Sequence, residues 1–121
     1  MYILLAVVAV VAIALYMAYS YAMDSPYRIS AEEAKRRLRS QPLILDVRTD
    51  MERSALGFYE GSVHIPSGDL KDRMPREYPN KTIPIIAYCN SGQRARVATE
   101  ILQGLGYTNA RYIATTYHSL D

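Results

Sequence analysis

The sequence contains one cysteine, two histidines and no tryptophan among its 121 residues. A single cysteine excludes an internal disulfide and a zinc site built from several cysteines. It also leaves the chain without a second thiol that would take sulfur or electrons from the first. Because the histidines and carboxylates lack the spacing of metal ligands as well, we predict neither a metal nor another cofactor.

Charged residues are absent from the first 23 positions and begin at Asp24. Residues 24–121 carry all 14 basic and 12 acidic side chains, which gives a net charge of +2. This charge is too small to indicate a nucleic-acid partner, and no basic run lies beside interleaved aromatic residues. A segment of this length suits one domain, so we expect a single folded unit after the uncharged stretch.

The uncharged stretch, residues 1–23, is a predicted transmembrane anchor. As a helix it would be about 34 Å long at ~1.5 Å per residue, enough to cross a hydrocarbon core of ~30 Å. Tyr2 and Tyr21 lie near its two ends, as in the aromatic belts of membrane proteins. A cleaved signal peptide is the alternative, with Ser20 and Ala22 as small residues before the cut. The length of the apolar run and the lack of a basic residue before it favour the anchor.

Basic residues follow the predicted anchor and none precedes it. By the positive-inside rule, this asymmetry predicts a single-pass membrane protein whose domain lies on the cytoplasmic side. A lone reactive thiol also survives better in that reducing compartment. Residues 24–26 are a brief linker, and we place the folded domain at 27–121. The basic residues that follow the anchor most closely are Arg28, Lys35, Arg36, Arg37 and Arg39.

Apolar runs and helical patterns alternate along residues 27–121. The two strongest runs, 43–48 and 83–88, are short and start with apolar residues. Strands that are buried on both faces of a sheet have this pattern. Helical patterns lie between the runs, and the first of them starts with a capping box at Ser30. This alternation predicts an α/β domain with a largely parallel sheet. Weaker strands are predicted at 27–29, 63–65 and 109–113.

Cys89 stands at the end of the second strong run, before a short polar loop that contains Gly92 and ends at Arg94. A strand, a tight loop and a helix in this order gather backbone N–H groups and a positive helix end around one point. A thiolate at that point is stabilised, so we interpret Cys89 as a reactive thiol at the carboxyl edge of the sheet. The alternative is a small buried hydrophobic residue.

Arg94 follows Cys89 by five residues, close enough for the loop to fold back and bring the guanidinium near the sulfur. A cation at a helix N-terminus opposes the helix dipole, so we expect another group to compensate it. Arg96 is expected to face solvent. Asp46 and Arg48, at the end of the first strong run, are either a structural ion pair or part of the site.

Together these segments resemble the single-domain rhodaneses, a family of sulfurtransferases that form a persulfide on cysteine. The resemblance covers about residues 27–113. Each segment alone is weakly specific, but all of them in this order make a specific pattern. The matching segments are residues 29–33, 43–49, 57–70, 88–95 and 106–109.

The resemblance implies a central parallel sheet with helices on both faces and the loop 89–94 at its carboxyl edge. It implies that Cys89 attacks a sulfane donor such as thiosulfate or a persulfide, becomes a persulfide, and passes the sulfur to a thiol or cyanide. Loops of six residues in this family serve sulfur transfer, whereas related phosphatases and arsenate reductases use seven. The count from Cys89 to Arg94 is six. The implied site residues are Cys89 as nucleophile, Asn90, Ser91, Gly92, Gln93 and Arg94 around the terminal sulfur, and Asp46 and Arg48 in support.

The chain departs from the family pattern in three places. Phe58 replaces a histidine that the family often has, and the spacing from Arg48 to Gly57 is one residue longer than usual. Residues 114–118 replace the customary glycine turn and the tryptophan after it. The last departure lies near the active loop and supports an alternative function, a non-catalytic module of the same fold that recruits a partner to the membrane.

Overall fold

Four strands form a sheet at the centre of the structure, a computed structural model that describes all residues, 1–121. The strands are β1 (Leu43–Asp46), β2 (Val63–His64), β3 (Ile85–Tyr88) and β4 (Ala110–Tyr112). They pair in the order β2-β1-β3-β4, and every pair is parallel. Arg28 adds an isolated parallel bridge to Tyr112.

Five α-helices accompany the sheet. They are α1 (Tyr2–Met23), α2 (Ala31–Arg37), α3 (Asp50–Leu56), α4 (Leu70–Glu77) and α5 (Gln93–Gly104), with short 3-10 turns at Leu38–Ser40, Ser67–Asp69 and Tyr117–Leu120. The predicted parallel α/β arrangement is therefore confirmed. The strands are shorter than the predicted runs, and β3 starts only at Ile85 because Pro84 has no N–H to donate to a ladder.

Alternation along β3 explains why the sheet is buried on both faces. Ile85 and Ala87 pack into one apolar cluster, and Ile86 and Tyr88 pack into the other. Helices α4 and α5 contribute to the first cluster, while α2 and the turn Tyr117–Leu120 contribute to the second. Because both faces of the sheet are covered, we expect a site at the carboxyl edge of the strands.

Local capping fixes where α2 and α3 begin. The hydroxyl of Ser30 accepts a hydrogen bond from the backbone N–H of Glu33 at 3.1 Å. At α3, the N–H of Glu52 donates to the Thr49 hydroxyl at 3.2 Å, and the N–H of Thr49 donates to the Glu52 carboxylate at 3.1 Å. This reciprocal capping box holds Glu52 in the first turn of α3, just beyond the end of β1.

Helix α1 differs from the other helices in its surroundings. Residues 1–17 are exposed, and Ala22 is the one buried residue of α1. By length and composition α1 is the one helix able to cross a membrane, a criterion that a signal sequence also meets. Its exposed apolar surface is more extensive than folded soluble domains usually leave uncovered.

Candidate active site

Cys89 is the first residue after β3, at the carboxyl edge of the sheet. The residue is 2% exposed, and its Sγ accepts a hydrogen bond from the backbone N–H of Gly92 at 3.1 Å. Gly92 has a φ of +103°, in the left-handed region that favours glycine. A Cβ at this position would lie 2.8 Å from the Cα of Ala114. The loop therefore closes tightly enough to direct a backbone donor at the sulfur.

The side chains of Ser91 and Gln93 make their hydrogen bonds away from the sulfur. The Ser91 hydroxyl donates to Oε1 of Gln93, and Nε2 of Gln93 donates to the carbonyl of Ala18 in α1 at 3.2 Å. Neither side chain bonds to Cys89. Gln93, which Ser91 holds, therefore connects the loop 89–94 to the end of α1.

Arg94 is paired with Glu52, a residue that the sequence reasoning missed. Its two terminal nitrogens donate to the two carboxylate oxygens of Glu52 at 2.6 and 2.8 Å. The Glu52 partner, and to a smaller extent the charge of Cys89, raise the pKa of Arg94, while burial acts in the opposite direction. The compensating charge expected for a cation at the start of α5 is thus supplied by the first turn of α3.

Glu52 also holds Asn90, whose Nδ2 donates to Oε2 of Glu52 at 2.8 Å. The hydrogen bonds from Arg94 lower the pKa of Glu52 to about 2, and bonds from Thr49 act in the same direction. One carboxylate therefore caps α3, neutralises Arg94 and positions Asn90. The sequence did carry a signal for it, since a threonine followed three residues later by a glutamate is a capping-box pattern.

Asp46 and Arg48 form an ion pair that is 0% and 1% exposed. Nε and NH2 of Arg48 donate to the two oxygens of Asp46 at 2.9 and 2.8 Å. Arg53 and the Tyr88 hydroxyl donate to the same carboxylate at 3.1 and 3.0 Å. Burial by itself raises the pKa of Asp46, but the hydrogen bonds from Arg48 outweigh it and lower the pKa.

Arg48 extends this pair to the neighbouring loops. Its NH2 donates to the carbonyl of Gly57 at 2.7 Å, and its NH1 donates to Oδ1 of Asn90 at 3.3 Å. The backbone carbonyl of Arg48 lies 2.7 Å from Nε2 of His64. Asp46 and Arg48 thus form an ion pair, and Arg48 also reaches Asn90 of the loop 89–94.

A cavity of about 360 Å³ lies next to the loop. The segment that departs from the family pattern forms part of its wall, and the rings of Tyr117 and His118 stack with centroids 4.1 Å apart. The guanidinium of Arg48 lies 5.7 Å from the ring of Tyr117. The lining residues are Arg48, Leu56, Asn90, Thr116, Tyr117 and His118.

The prediction that Arg96 faces solvent holds only in part, because its side chain is 22% exposed. Its guanidinium lies 3.9 Å from the ring of Tyr21, and its NH1 donates to the carbonyls of Tyr21 and Asp24 at 2.6 and 3.1 Å. The physical reason is the C-terminal end of α1, whose unpaired carbonyls attract a cation. The sequence shows no periodicity that relates Arg96 to this distant helix end.

Asp46→Asn should destabilise the domain strongly, because it leaves the Arg48 guanidinium buried without a full counter-charge. Breaking a buried pair costs about 3–5 kcal/mol of unfolding free energy, which urea titration would measure. Glu33→Gln is the control, since it breaks the surface pairs with Arg36 and Arg37; surface pairs contribute roughly 0–1 kcal/mol. Equal effects of the two substitutions would contradict the structural importance of the buried pair.

Glu52→Gln should weaken the dependence of stability on acid. The pKa of Glu52 is lowered from 4.5 to about 2, so its ionised form stabilises the folded state above pH 4.5, and this contribution is lost as the pH falls towards 2. The thermal midpoint of the variant should therefore be lower at neutral pH and should fall less steeply over that range. Glu32→Gln, at an exposed residue without an ion pair, should retain the steepness of the unmodified chain. Parallel profiles for Glu52→Gln and the unmodified chain would count against the Glu52–Arg94 pair.

Residues 30–119 match the family described as Rhodanese-like domain. Among curated proteins, the thiosulfate sulfurtransferase PspE of Escherichia coli (strain K12) is 34% identical over 65 residues, which are 54% of this chain and 62% of PspE. The rhodanese domain-containing protein CG4456 of Drosophila melanogaster is 34% identical over 77 residues, 54% of this chain and 69% of that protein. The alignment thus spans less than two thirds of the length of PspE.

A solved structure agrees with these sequence matches. The human single-domain sulfurtransferase TSTD1 superposes with a TM-score of 0.66 and 27% identity, over 78% of this chain and 95% of that protein. Together with the parallel sheet and the family match, this superposition confirms the rhodanese-like fold expected from the motifs. Since the family match also covers most of the chain, the chain belongs to the rhodanese-like domain family.

Proposed function

We propose that this protein is a membrane-tethered sulfurtransferase that carries sulfane sulfur as a persulfide on Cys89. The observation that carries the proposal is a free thiol at the end of β3 whose Sγ accepts an N–H from Gly92 at 3.1 Å. A hydrogen bond to a sulfur anion strengthens when the charge is present, so this donor favours both the thiolate and its persulfide. The similarity to the thiosulfate sulfurtransferase PspE and to the single-domain sulfurtransferase TSTD1 supports the same chemistry here.

In the first half-reaction, the Cys89 thiolate attacks the outer sulfur of a donor such as thiosulfate. A bond forms between Sγ and that sulfur as the S–S bond of thiosulfate breaks, and sulfite leaves with the electron pair. The product is a Cys89 persulfide with one negative charge on its terminal sulfur. We assign the loop residues Asn90, Ser91, Gly92, Gln93 and Arg94 to hold this sulfur, with Asp46 and Arg48 supporting the loop.

In the second half-reaction, an acceptor thiolate or cyanide attacks the terminal sulfur. The bond between that sulfur and Sγ breaks, and the electron pair returns to Cys89 as thiolate. No oxidant or reductant is consumed over the cycle. Because the chain has no other cysteine, the acceptor of this sulfur is an external molecule.

Glu52 changes the role that Arg94 has in this scheme. Both terminal nitrogens of Arg94 are occupied by one carboxylate, so its charge is already matched in the resting site. Arg94 then acts mainly by fixing the end of the loop, and Asn90 is fixed by the same carboxylate. The backbone N–H of Gly92, rather than a free cation, is then the principal stabilisation that the site offers a sulfur anion.

Thiosulfate treatment should add about 32 Da, one sulfur atom, to Cys89 as a persulfide. Mass spectrometry of the intact chain and of the peptide containing Cys89 would detect it. Cys89→Ser should show no addition, and cyanide should remove the addition from the unmodified chain with release of thiocyanate. A folded chain that stays unmodified under thiosulfate and several persulfide donors would overturn the proposal and favour the alternative, a non-catalytic module that binds through the cavity beside Tyr117.

Gly92→Ala should slow persulfide formation at least about tenfold, in line with the loss of one preorganised donor to a reacting anion. The φ of +103° and the 2.8 Å approach of Ala114 leave no room for a Cβ without moving the donor N–H. Gly68→Ala is the matched control, because its Cβ would meet nothing within 4 Å. Rates from quenched-reaction mass spectrometry that are equal for both variants would contradict the role of the Gly92 N–H.

Residues 1–23 are the proposed anchor, and the basic residues after it support a domain on the cytoplasmic side. In bacteria expressing the full chain, the protein should stay with the membranes after washing in alkaline carbonate. Protease added outside intact spheroplasts should leave the domain whole, whereas protease added after lysis should digest it. Release by carbonate would contradict the anchor, and digestion without lysis would contradict the sidedness.

A further inference from the structure

The end of α1 is docked on the domain by side chains that bind its last carbonyls. The Tyr112 hydroxyl donates to the carbonyl of Ala22 at 2.6 Å, and Nε of Arg28 donates to the carbonyl of Met23 at 2.8 Å. Arg96 occupies the carbonyl of Tyr21 at 2.6 Å. An α-helix leaves these terminal carbonyls without intrahelical partners, and two arginines match the negative end of its dipole. These hydrogen bonds therefore fix the C-terminal end of α1 to the domain.

The order of contacts along α5 gives the direction in which α1 leaves the domain. Arg96, one turn into α5, contacts Tyr21, while Gln93, at the start of α5, contacts Ala18. Moving towards the N-terminus of α5 thus corresponds to moving towards the N-terminus of α1. Because α5 begins in the catalytic loop, α1 passes this loop and continues outwards beyond the carboxyl edge of the sheet.

The length of α1 that the domain leaves uncovered determines how deep the carboxyl edge of the sheet lies in the membrane. Residues 1–17 are exposed, and as a helix residues 2–17 span about 24 Å at ~1.5 Å per residue. A bilayer core of ~30 Å is thicker than this. A spanning α1 therefore needs its docked end, together with the catalytic edge of the domain, to enter the headgroup layer.

Exposed apolar side chains of the domain are found on this same edge. Outside α1, the large apolar residues that are exposed are Met51 at 79%, Leu56 at 55%, Phe58 at 47% and Val97 at 43%. The first three belong to α3 or follow it directly, next to the end of β1, and Leu56 lines the cavity with Asn90. Apolar residues at the edge from which a spanning helix leaves the domain are suited to the boundary between headgroups and acyl chains.

We infer that the catalytic edge of the domain lies in the lipid headgroup layer, with Met51, Leu56 and Phe58 in contact with lipid. This inference rests on the proposed function and specifies it further: the sulfur acceptor is an amphiphilic or membrane-bound thiol that reaches this layer. Such a thiol meets Cys89 at the membrane surface, whereas a water-soluble thiol must reach an edge that faces the bilayer.

Depth measurements by spin labelling test the orientation. In full-length Cys89→Ser, single cysteines at positions 51 and 58 carry a nitroxide, as do control cysteines at the exposed positions 39 and 108, which precede β1 and β4. In vesicles of phosphatidylcholine and phosphatidylglycerol, the ratio of collisions with oxygen to collisions with a nickel chelate should be several-fold higher at 51 and 58 than at the controls. Equal ratios at all four positions would overturn the inference.

A second variant separates docking from simple attachment. The double variant Arg28→Gln, Arg96→Gln removes both guanidinium contacts with the end of α1. It leaves the proposed site residues and the apolar helix intact, so the chain should still float with the vesicles. The collision ratios at 51 and 58 should fall towards those of the controls, and unchanged ratios would contradict orientation by the docked helix. Failure to float without these substitutions would instead contradict the anchor itself.

The acceptor class is tested on the unlabelled chain carrying its Cys89 persulfide. In the same vesicles, a thiol with an alkyl chain should discharge the persulfide several-fold faster than a water-soluble thiol of equal acidity. The double variant Arg28→Gln, Arg96→Gln should reduce that advantage. If the alkyl thiol reacts faster by the same factor in both chains, partitioning of this thiol into the vesicles alone explains its higher rate. That result would overturn the acceptor assignment. Absence of any persulfide after thiosulfate would count against the proposed function and leave the depth result standing.

Discussion

The buried ion pair between Asp46 and Arg48 is the interaction on which the carboxyl edge of the sheet depends. Removing two charges from water is expensive, and mutual attraction offsets that cost only when the remaining polar atoms are also bonded. Here no buried side-chain nitrogen or oxygen lacks a partner. Asp46 receives Arg48, Arg53 and the Tyr88 hydroxyl, while Arg48 reaches Gly57 and Asn90. The pair therefore connects β1, β3 and two loops at the point where the cysteine is presented.

A second ion pair, between Glu52 and Arg94, has a different physical role because it is nearer to solvent. Its side chains are 25% and 41% exposed, so solvent screens much of the attraction between them. The pair acts mainly by joining two elements. Glu52 belongs to the first turn of α3, whereas Arg94 and Asn90 belong to the loop 89–94. The buried pair thus supplies a fixed base for the edge, and the outer pair fixes the loop against it.

The sequence predicted the strands, the loop and the position of Cys89 because these depend on local signals. Apolar runs, capping residues and glycines act over a few residues, and their order along the chain matched a known family. Glu52 and Arg96 were missed because their partners are distant in sequence: Arg94 lies 42 residues from Glu52, and the carbonyl of Tyr21 lies 75 residues from Arg96. The pattern of Thr49 followed by Glu52 indicates that Glu52 lies in the first turn of a helix. No local pattern indicates which cation the Glu52 carboxylate contacts across the fold.

The loop 89–94 and the proposed anchor are in close contact at Gly92. The closeness of this contact explains why small residues, Ala22 and Ala114, lie around the glycine. A Cβ on Gly92 would lie 2.8 Å from the Cα of Ala114 and 3.0 Å from the Cβ of Ala22. The same Gly92 donates its N–H to the sulfur. A change at the Cβ of Ala22 is therefore in direct contact with the residue whose N–H bonds to the sulfur of Cys89. The terminal carbonyls of α1 need donors from the domain, and the domain needs a small residue from α1, so the requirements of the two parts are met by the same contact.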